Sequence, residues 1–381
     1  MTRGTAPSET GAFHDGLSAT RAGASRLSNT ASVQIDLAAL AFNLRVVRRL
    51  CPRSRVMAMV KANAYGHGLI PAARALADAD GLAVARLGEA LALRGAGHPG
   101  RIQLLGTLLD AADFATCSRL DIDVTAHDWN SVEAISAAAR QDSLRVWIKL
   151  DSGMHRMGLD PQEFIWADRI LAKHPGVREL GHMTHFASAD DVDPRTLDPQ
   201  LEVFRACHAR NPGAPASLAN SAALLTRPDT RDDWVRPGIM LYGASPVSGA
   251  GGDLRPAMRL SSRVVAIREI APGESVGYNR RWTARRKSRI ATIGIGYGDG
   301  YPRHAPNGTP VWLRGCEVPL VGRVSMDFIS VDITQCTDAA VGDEAELWGS
   351  RIPAGIVAAR AETIHYSLFT GISERVSRGF A

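Results

Sequence analysis

Arg55-Val56-Met57-Ala58-Met59-Val60-Lys61-Ala62-Asn63-Ala64-Tyr65-Gly66-His67-Gly68 joins an uninterrupted apolar run to a lysine and a glycine-punctuated turn. The run reads as a strand buried on both faces, so its last residue puts an amine at the strand's mouth. The chain has only four lysines (Lys61, Lys149, Lys173, Lys287) among 44 basic residues, and arginine serves wherever positive charge alone suffices. Arginine stays protonated at any working pH, whereas a lysine amine beside an apolar wall or other cations can lose its proton and condense with a carbonyl. Lys61 is therefore the candidate for holding a carbonyl cofactor.

Outward from this strand the pattern repeats. Val33-Gln34-Ile35 leads to Asp36, a good helix N-cap, and then to Leu37, Leu40, Leu44, Val47 and Leu50 on one helical face. After a helix near Ile70 to Ala79 come strands at Leu82–Ala85, Ile102–Leu105, Ile122–Val124, Val146–Leu150, Val177–His185, Ala216–Ala219 and Trp234–Arg236, with helical stretches between them. About eight strand–helix repeats predict an α/β fold, a closed (β/α)8 TIM-type barrel over residues 32–256. Past Leu254-Arg255-Pro256 the rhythm changes to short β segments broken by Pro-Gly, Asn-Gly and Gly-Asp turns, closing on a helical stretch at about Pro353 to Thr370. Residues 257–381 are thus expected to form a mainly β C-terminal domain.

With 381 residues, 45% of them apolar and 22% charged, the chain can bury a large core, and no apolar run is long enough to cross a bilayer. Its five cysteines (Cys51, Cys117, Cys207, Cys316, Cys336) are scattered without zinc spacing, which fits a reducing cytoplasm. Residues 1–31 are rich in Gly, Ala, Ser and Thr, lack the apolar core of a secretory signal, and read as a flexible tail. The net charge of +5 and the basic run Arg280 to Arg289 invite a nucleic-acid reading. No nucleic-acid-binding module surrounds that run, so no nucleic-acid partner is expected.

In barrels of this kind chemistry is carried at the C-terminal ends of the strands. Lys61, Lys149, Arg156, His185, Asn220, Ser221 and Arg236 each stand at or just past such an end. Val60 to Gly68 resembles the pyridoxal-phosphate (PLP) lysine segment of alanine racemases. Lys149–Gly158, Arg236–Gly243, Ser275–Asn279, Gly296–Arg303 and Gly322–Asp327 extend the resemblance over almost everything after residue 31.

The resemblance implies a homodimeric, cytoplasmic isomerase that interconverts L- and D-alanine, the D form feeding peptidoglycan. It implies that Lys61 carries PLP and that Arg236 faces the pyridine nitrogen. A permanently protonated guanidinium there keeps the ring a weaker electron sink and favours racemisation over transamination. Tyr65, His185, Asn220, Ser221, Gly238 and Tyr366 are implied around the cofactor, the serine, Gly238 and both tyrosines at its phosphate. A racemase takes a proton from one face of Cα and returns one to the other, so two bases are expected. Lys61 is one, and the resemblance makes Tyr278, brought across from the partner subunit and oriented by His185, the other.

Arg156 is implied at the substrate carboxylate, with Met326 and Asp327 of the partner bordering it. Lys149 aligns with a lysine that is carbamylated in some members. Tyr297 and Arg303 are implied along the access corridor, which Tyr366 and Tyr278 pinch to the size of alanine. A decarboxylase on the same plan carries glutamate in place of Arg236 and cysteine near Met326. A broader amino-acid racemase and a non-catalytic PLP carrier are the remaining readings, the latter lacking a β domain. His365 departs from the small or polar residue more usual before Tyr366.

Overall fold

The structure is a computed structural model that describes residues 30–106, 109–138, 144–191 and 193–381. The tail expected over residues 1–31 lies, apart from its last two residues, outside them. Strand β1 (Ser32–Ile35) runs through Asp36, whose carboxylate accepts the Ala39 N–H at 2.9 Å, into helix α1 (Leu37–Leu50). Eight parallel strands follow: β2 (Arg55–Met59), β3 (Gly81–Val84), β4 (Arg101–Leu104), β5 (Ile122–Ala126), β6 (Leu144–Lys149), β7 (Val177–Met183), β8 (Ala216–Ser217) and β9 (Trp234–Val235). The last pairs with β2 at Arg55↔Trp234 and Val56↔Val235, which closes the barrel. Helices α2 (Leu69–Ala75), α3 (Leu87–Gly95), α4 (Ala111–Arg119), α5 (Trp129–Ala138), α6 (Pro161–Leu171), α7 (Asp198–His208) and α8 (Ser221–Thr226) connect successive strands.

The C-terminal part is β-rich, as expected. Strand β10 (Met258–Ile270) is followed by the two-stranded β11 (Ser275–Val276) and β12 (Trp282–Thr283), then β13 (Ser288–Ile293), β14 (Pro310–Leu313), β15 (Cys316–Pro319), β16 (Ile329–Asp332), β17 (Glu344–Trp348) and β18 (Ser377–Phe380). The helical stretch near 353–370 is two short helices, α9 (Ala354–Arg360) and α10 (His365–Thr370), broken where Glu362 takes φ +50°.

One strand lies elsewhere than expected. Ser32–Ile35, taken with the barrel repeats, pairs antiparallel with β10 and parallel with β18. The reason is legible in its alternation: Val33 and Ile35 are buried while Ser32 and Gln34 are not, as suits a sheet with one wet face. The four residues of β3, by contrast, are all buried, as a barrel strand between core and helices requires.

At the N-terminal mouth of the barrel, away from the strand ends that carry chemistry, Asp123 is fully buried between two arginines. It accepts from Arg101 Nε at 2.5 Å, from Arg145 Nε, and from Trp147 Nε1 at 3.2 Å. The Arg101 guanidinium stacks 4.8 Å over Trp234. At the opposite mouth His67 is fully buried between Tyr242 and Phe369, 4.5 and 5.2 Å away by ring centroids. Its Nδ1 lies 2.9 Å from the Tyr65 carbonyl, and burial pushes its pKa down to about 4. The ring is thus a neutral pin between the turn after β2 and helix α10.

Two outcomes follow for stability. Asp123→Ala removes the buried carboxylate that Arg101 and Arg145 share, leaving each only its outer partner, Glu179 at 2.8 Å and Asp121 at 3.0 Å, and is expected to cost about 3 kcal/mol, read as a lowered urea midpoint. His67 titrates lower in the folded chain than in the unfolded one, so its contribution is complete above the unfolded value of 6.5 and is lost as pH falls towards about 4. The loss is about 3 kcal/mol at most. His67→Phe, which keeps the ring packing, is expected to flatten the decline in melting temperature between those pH values.

Candidate active site

The loops at the C-terminal ends of the strands enclose a cavity of about 630 Å³. Lys61, Tyr65, Lys149, Arg156, His185, Asn220, Ser221, Arg236, Gly238 and Tyr366, all singled out in the sequence, line it. Its floor is positively charged. Lys61, Lys149, Arg156 and Arg236 face it, with Asp190 the one carboxylate along its lining among the described residues.

Arg236 follows β9 directly and is held almost completely. NH1 donates to the Ser217 carbonyl and hydroxyl, each at 2.7 Å, and NH2 to the carbonyls of Leu218 (3.2 Å) and Thr184. Nε–H has no protein acceptor among the described residues. Burial lowers the Arg236 pKa to about 10, so the guanidinium remains charged at neutral pH. It acts on its neighbours. Lys149, the last residue of β6, falls to about 8, chiefly through burial and then through Arg236, Arg156 and Lys61. Lys61 is lowered by burial and by Arg156, with Glu89 opposing them. His185, two residues past β7, is driven well below its ordinary range by burial and then by the same cations, so its ring is neutral.

A second group of contacts builds a cradle. Asn220 caps α8 by accepting the Ala223 N–H at 3.0 Å, and Ser221 Oγ accepts the Gly238 N–H at 2.8 Å. A Cβ at residue 238 would lie 2.5 Å from the Tyr65 hydroxyl, so only glycine admits the phenol there. Tyr65 stacks on Tyr242 at 4.7 Å and tilts against Tyr366 at 5.7 Å. Burial raises the pKa values of Tyr65 and Tyr366, the latter to about 12, so both remain hydrogen-bond donors.

The turn bearing Lys61 is itself unusual. Ala62, Asn63, Ala64 and Tyr65 all have φ of 53–54°, a left-handed turn made without glycine. Left-handed geometry costs about 1–2 kcal/mol per residue. The turn is fastened by Asn63 Oδ1, which accepts the Leu69 N–H at 2.8 Å, and by Glu89 of α3, which accepts the Ala62 N–H at 2.6 Å. Neither Glu89 nor Gln200 stands out in the sequence. Gln200 of α7 accepts the Ala187 N–H at 2.8 Å and donates to the His185 carbonyl at 3.2 Å, fixing the loop that carries His185. Each reads as an ordinary polar residue early in a helix, and no sequence signal distinguishes them.

Tyr278, Tyr297, Arg303, Met326 and Asp327 do not line the cavity of this chain. They gather on loops of the β domain. The Tyr297 N–H donates to Ser325 O at 3.0 Å and the Gly298 N–H to Met326 O at 2.8 Å, while Gly277 abuts the backbone of Arg323. Arg303 lies 5.8 Å over the Tyr297 ring, and Arg375 binds Asp327 at 2.6 Å. Tyr278 and Met326 are 66% and 52% exposed, large side chains on a surface that nothing among the described residues covers.

Two family models match the chain: the alanine racemase N-terminal domain over residues 35–246 and the alanine racemase C-terminal domain over residues 257–380. An alanine racemase of Shewanella sp. strain ANA-3 is 45% identical over 349 residues, which cover 90% of this chain and 97% of that one. Among solved structures, the biosynthetic alanine racemase of Pseudomonas aeruginosa superposes with a TM-score of 0.89 at 42% identity, covering 93% of this chain and 99% of the other. The alanine racemase of Acinetobacter baumannii gives 0.88 at 36%, covering 93% and 100%. With both halves matched in order and nearly the whole length shared, the chain belongs to the alanine racemase family.

Proposed function

We propose that the chain is a PLP-dependent alanine racemase working in the cytoplasm as a homodimer, supplying D-alanine for peptidoglycan. The observation that carries the reading is the juxtaposition of the Lys61 amine, a cavity lined by four cations and the cradle of Tyr65, Ser221 and Gly238. These residues fit the cofactor. A phosphate finds the tyrosine and serine hydroxyls and the backbone beside α8, Lys61 supplies the amine for the carbonyl, and the unsatisfied Nε–H of Arg236 suits the ring nitrogen. When bound, PLP supplies an electron-withdrawing ring that acidifies the Cα–H of an amino acid attached to it.

The residues of the chain do the rest. Lys61, its amine made less basic by burial and Arg156, exchanges a proton with Cα on one face. Tyr278 of the partner subunit exchanges one on the other face, which accounts for a phenol left exposed on the β domain. Arg156 binds the substrate carboxylate through its planar fork, and the partner's Met326 and Asp327 border it. Tyr297 and Arg303 of the partner line the access corridor, and the cavity with Tyr366 across it suits a small side chain.

Lys149, with its pKa near 8, keeps a usable fraction of neutral amine at physiological pH. Attack of that nitrogen on carbon dioxide forms an N–C bond and releases one proton. The resulting carbamate would place an anion beside Arg156. A decarboxylase is disfavoured by Arg236 at the ring position and by Met326 in the partner loop. No helix of the described residues is long and apolar enough to cross a membrane.

The test is racemisation of L- and D-alanine followed by circular dichroism. Lys61→Ala and Tyr278→Phe are each expected to lower kcat by about 10³-fold. Co-expressed, the two variant chains pair at random. Half the dimers are then mixed, each with one intact site of two, so about a quarter of wild-type activity returns. Mixtures as inactive as either parent would defeat the shared site.

A further inference from the structure

The four left-handed residues after Lys61 need an external restraint, since such geometry persists only where the surroundings fix it. Part of the restraint is internal. The Ala64 N–H donates to Val60 O at 2.8 Å, Gly66 N–H to Ala62 O at 3.0 Å, and Gly68 N–H to Asn63 O at 3.0 Å. The Ala62 N–H, the first amide after the lysine, points out of the turn and meets Glu89 Oε1 at 2.6 Å. The other oxygen of the same carboxylate accepts the N–H groups of Ala85 (3.0 Å) and Arg86 (3.1 Å). Three amides from the loops after two adjacent strands, β2 and β3, thus converge on one anion. An ionised carboxylate has acceptor capacity on both oxygens, whereas a carboxamide has one acceptor oxygen and cannot serve both loops.

We propose that Glu89 is a positioning residue for Lys61, its carboxylate clamping the left-handed turn to the loop after β3 and so fixing the direction from which the amine enters the cavity. The proposal rests on the reading of Lys61 as the cofactor-bearing amine and base.

The charge of the clamp also matters. Arg156 and Arg236 face Lys61 from the loops after β6 and β9, Lys149 from the end of β6, and His185 from the loop after β7. Against these, Glu89 is the anion that favours the protonated amine. A residue that merely capped α3 through Arg86 would affect melting and nothing else.

Glu89→Gln removes the charge and one acceptor, and Glu89→Asp keeps the charge but shortens the reach. Both are made in the full-length chain. In protein freed of cofactor, acetylation of Lys61 by acetic anhydride is followed against pH by peptide mass. In protein reloaded with PLP, kcat and KM for alanine are measured. Glu89→Gln is expected to move the Lys61 labelling midpoint to lower pH and to lower kcat by about tenfold with KM little changed. Glu89→Asp is expected to leave the midpoint near that of the wild type while kcat falls.

A folded variant of either kind with wild-type kcat, or a Glu89→Gln midpoint equal to that of the wild type, overturns the clamp. If Glu89→Gln does not fold, the kcat of Glu89→Asp decides. A wild-type chain that fails to racemise alanine would refute the proposed function instead, and the labelling midpoints would still decide on the clamp.

Discussion

Four cations face one cavity at the top of the barrel, and much of the structure can be understood as what makes that arrangement tolerable. Like charges withdrawn from water repel and lose hydration, so each must be met by dipoles or give up its proton. Arg236 is met by three backbone carbonyls and the Ser217 hydroxyl, all from residues in or just past β7 and β8. Lys61 and Lys149 respond by becoming weaker bases, and His185 by staying neutral. A site of this kind is preorganised for an anionic guest. The protein charge is already in place, and the ligand's phosphate and carboxylates relieve the repulsion when they bind.

The scaffold beneath divides into two polar layers separated by the barrel's apolar interior. At the lower mouth, Arg101 and Arg145 are met by three carboxylates, those of Asp123, Glu179 and Asp121. At the upper mouth the balance is left positive. The difference between a structural ion cluster and a candidate active site is therefore one of compensation: the same residue types, paired directly with carboxylates in one place and outnumbering them in the other.

How much of this the sequence carries depends on whether the signal is local. The barrel is legible because strands such as β2 and β3 are continuous apolar runs, and Lys61, Lys149, Arg156, His185, Asn220, Ser221 and Arg236 are legible because each stands at or just past the end of a strand, whereas Tyr65, Gly238 and Tyr366 come from the resemblance. Strands β8 and β9, expected at Ala216–Ala219 and Trp234–Arg236, are only two residues long each, and Asn220 and Arg236 follow them. β1 is misplaced by rhythm and correctly placed by alternation, a weaker cue over four residues. Glu89 and Gln200 escape altogether, because their importance lies in which backbone amides they meet, and that is decided only when separate loops come together. The β-domain residues are a third case: Tyr278 and Met326 are identifiable by resemblance, yet within one chain their exposure is all that sets them apart.

The placement of β1 carries a consequence for how the molecule forms. Ser32 pairs with Ser261 on one side and Ser377 on the other, so a strand synthesised early has no partners until the last part of the chain arrives. Such distant pairing raises contact order and delays completion. During translation the barrel strands can assemble first, while β1, with its unpaired edge, is held off until β10 and β18 emerge. The front half is therefore not finished when its barrel closes: the segment leading into it is sewn into the domain behind it, and the two parts are completed together.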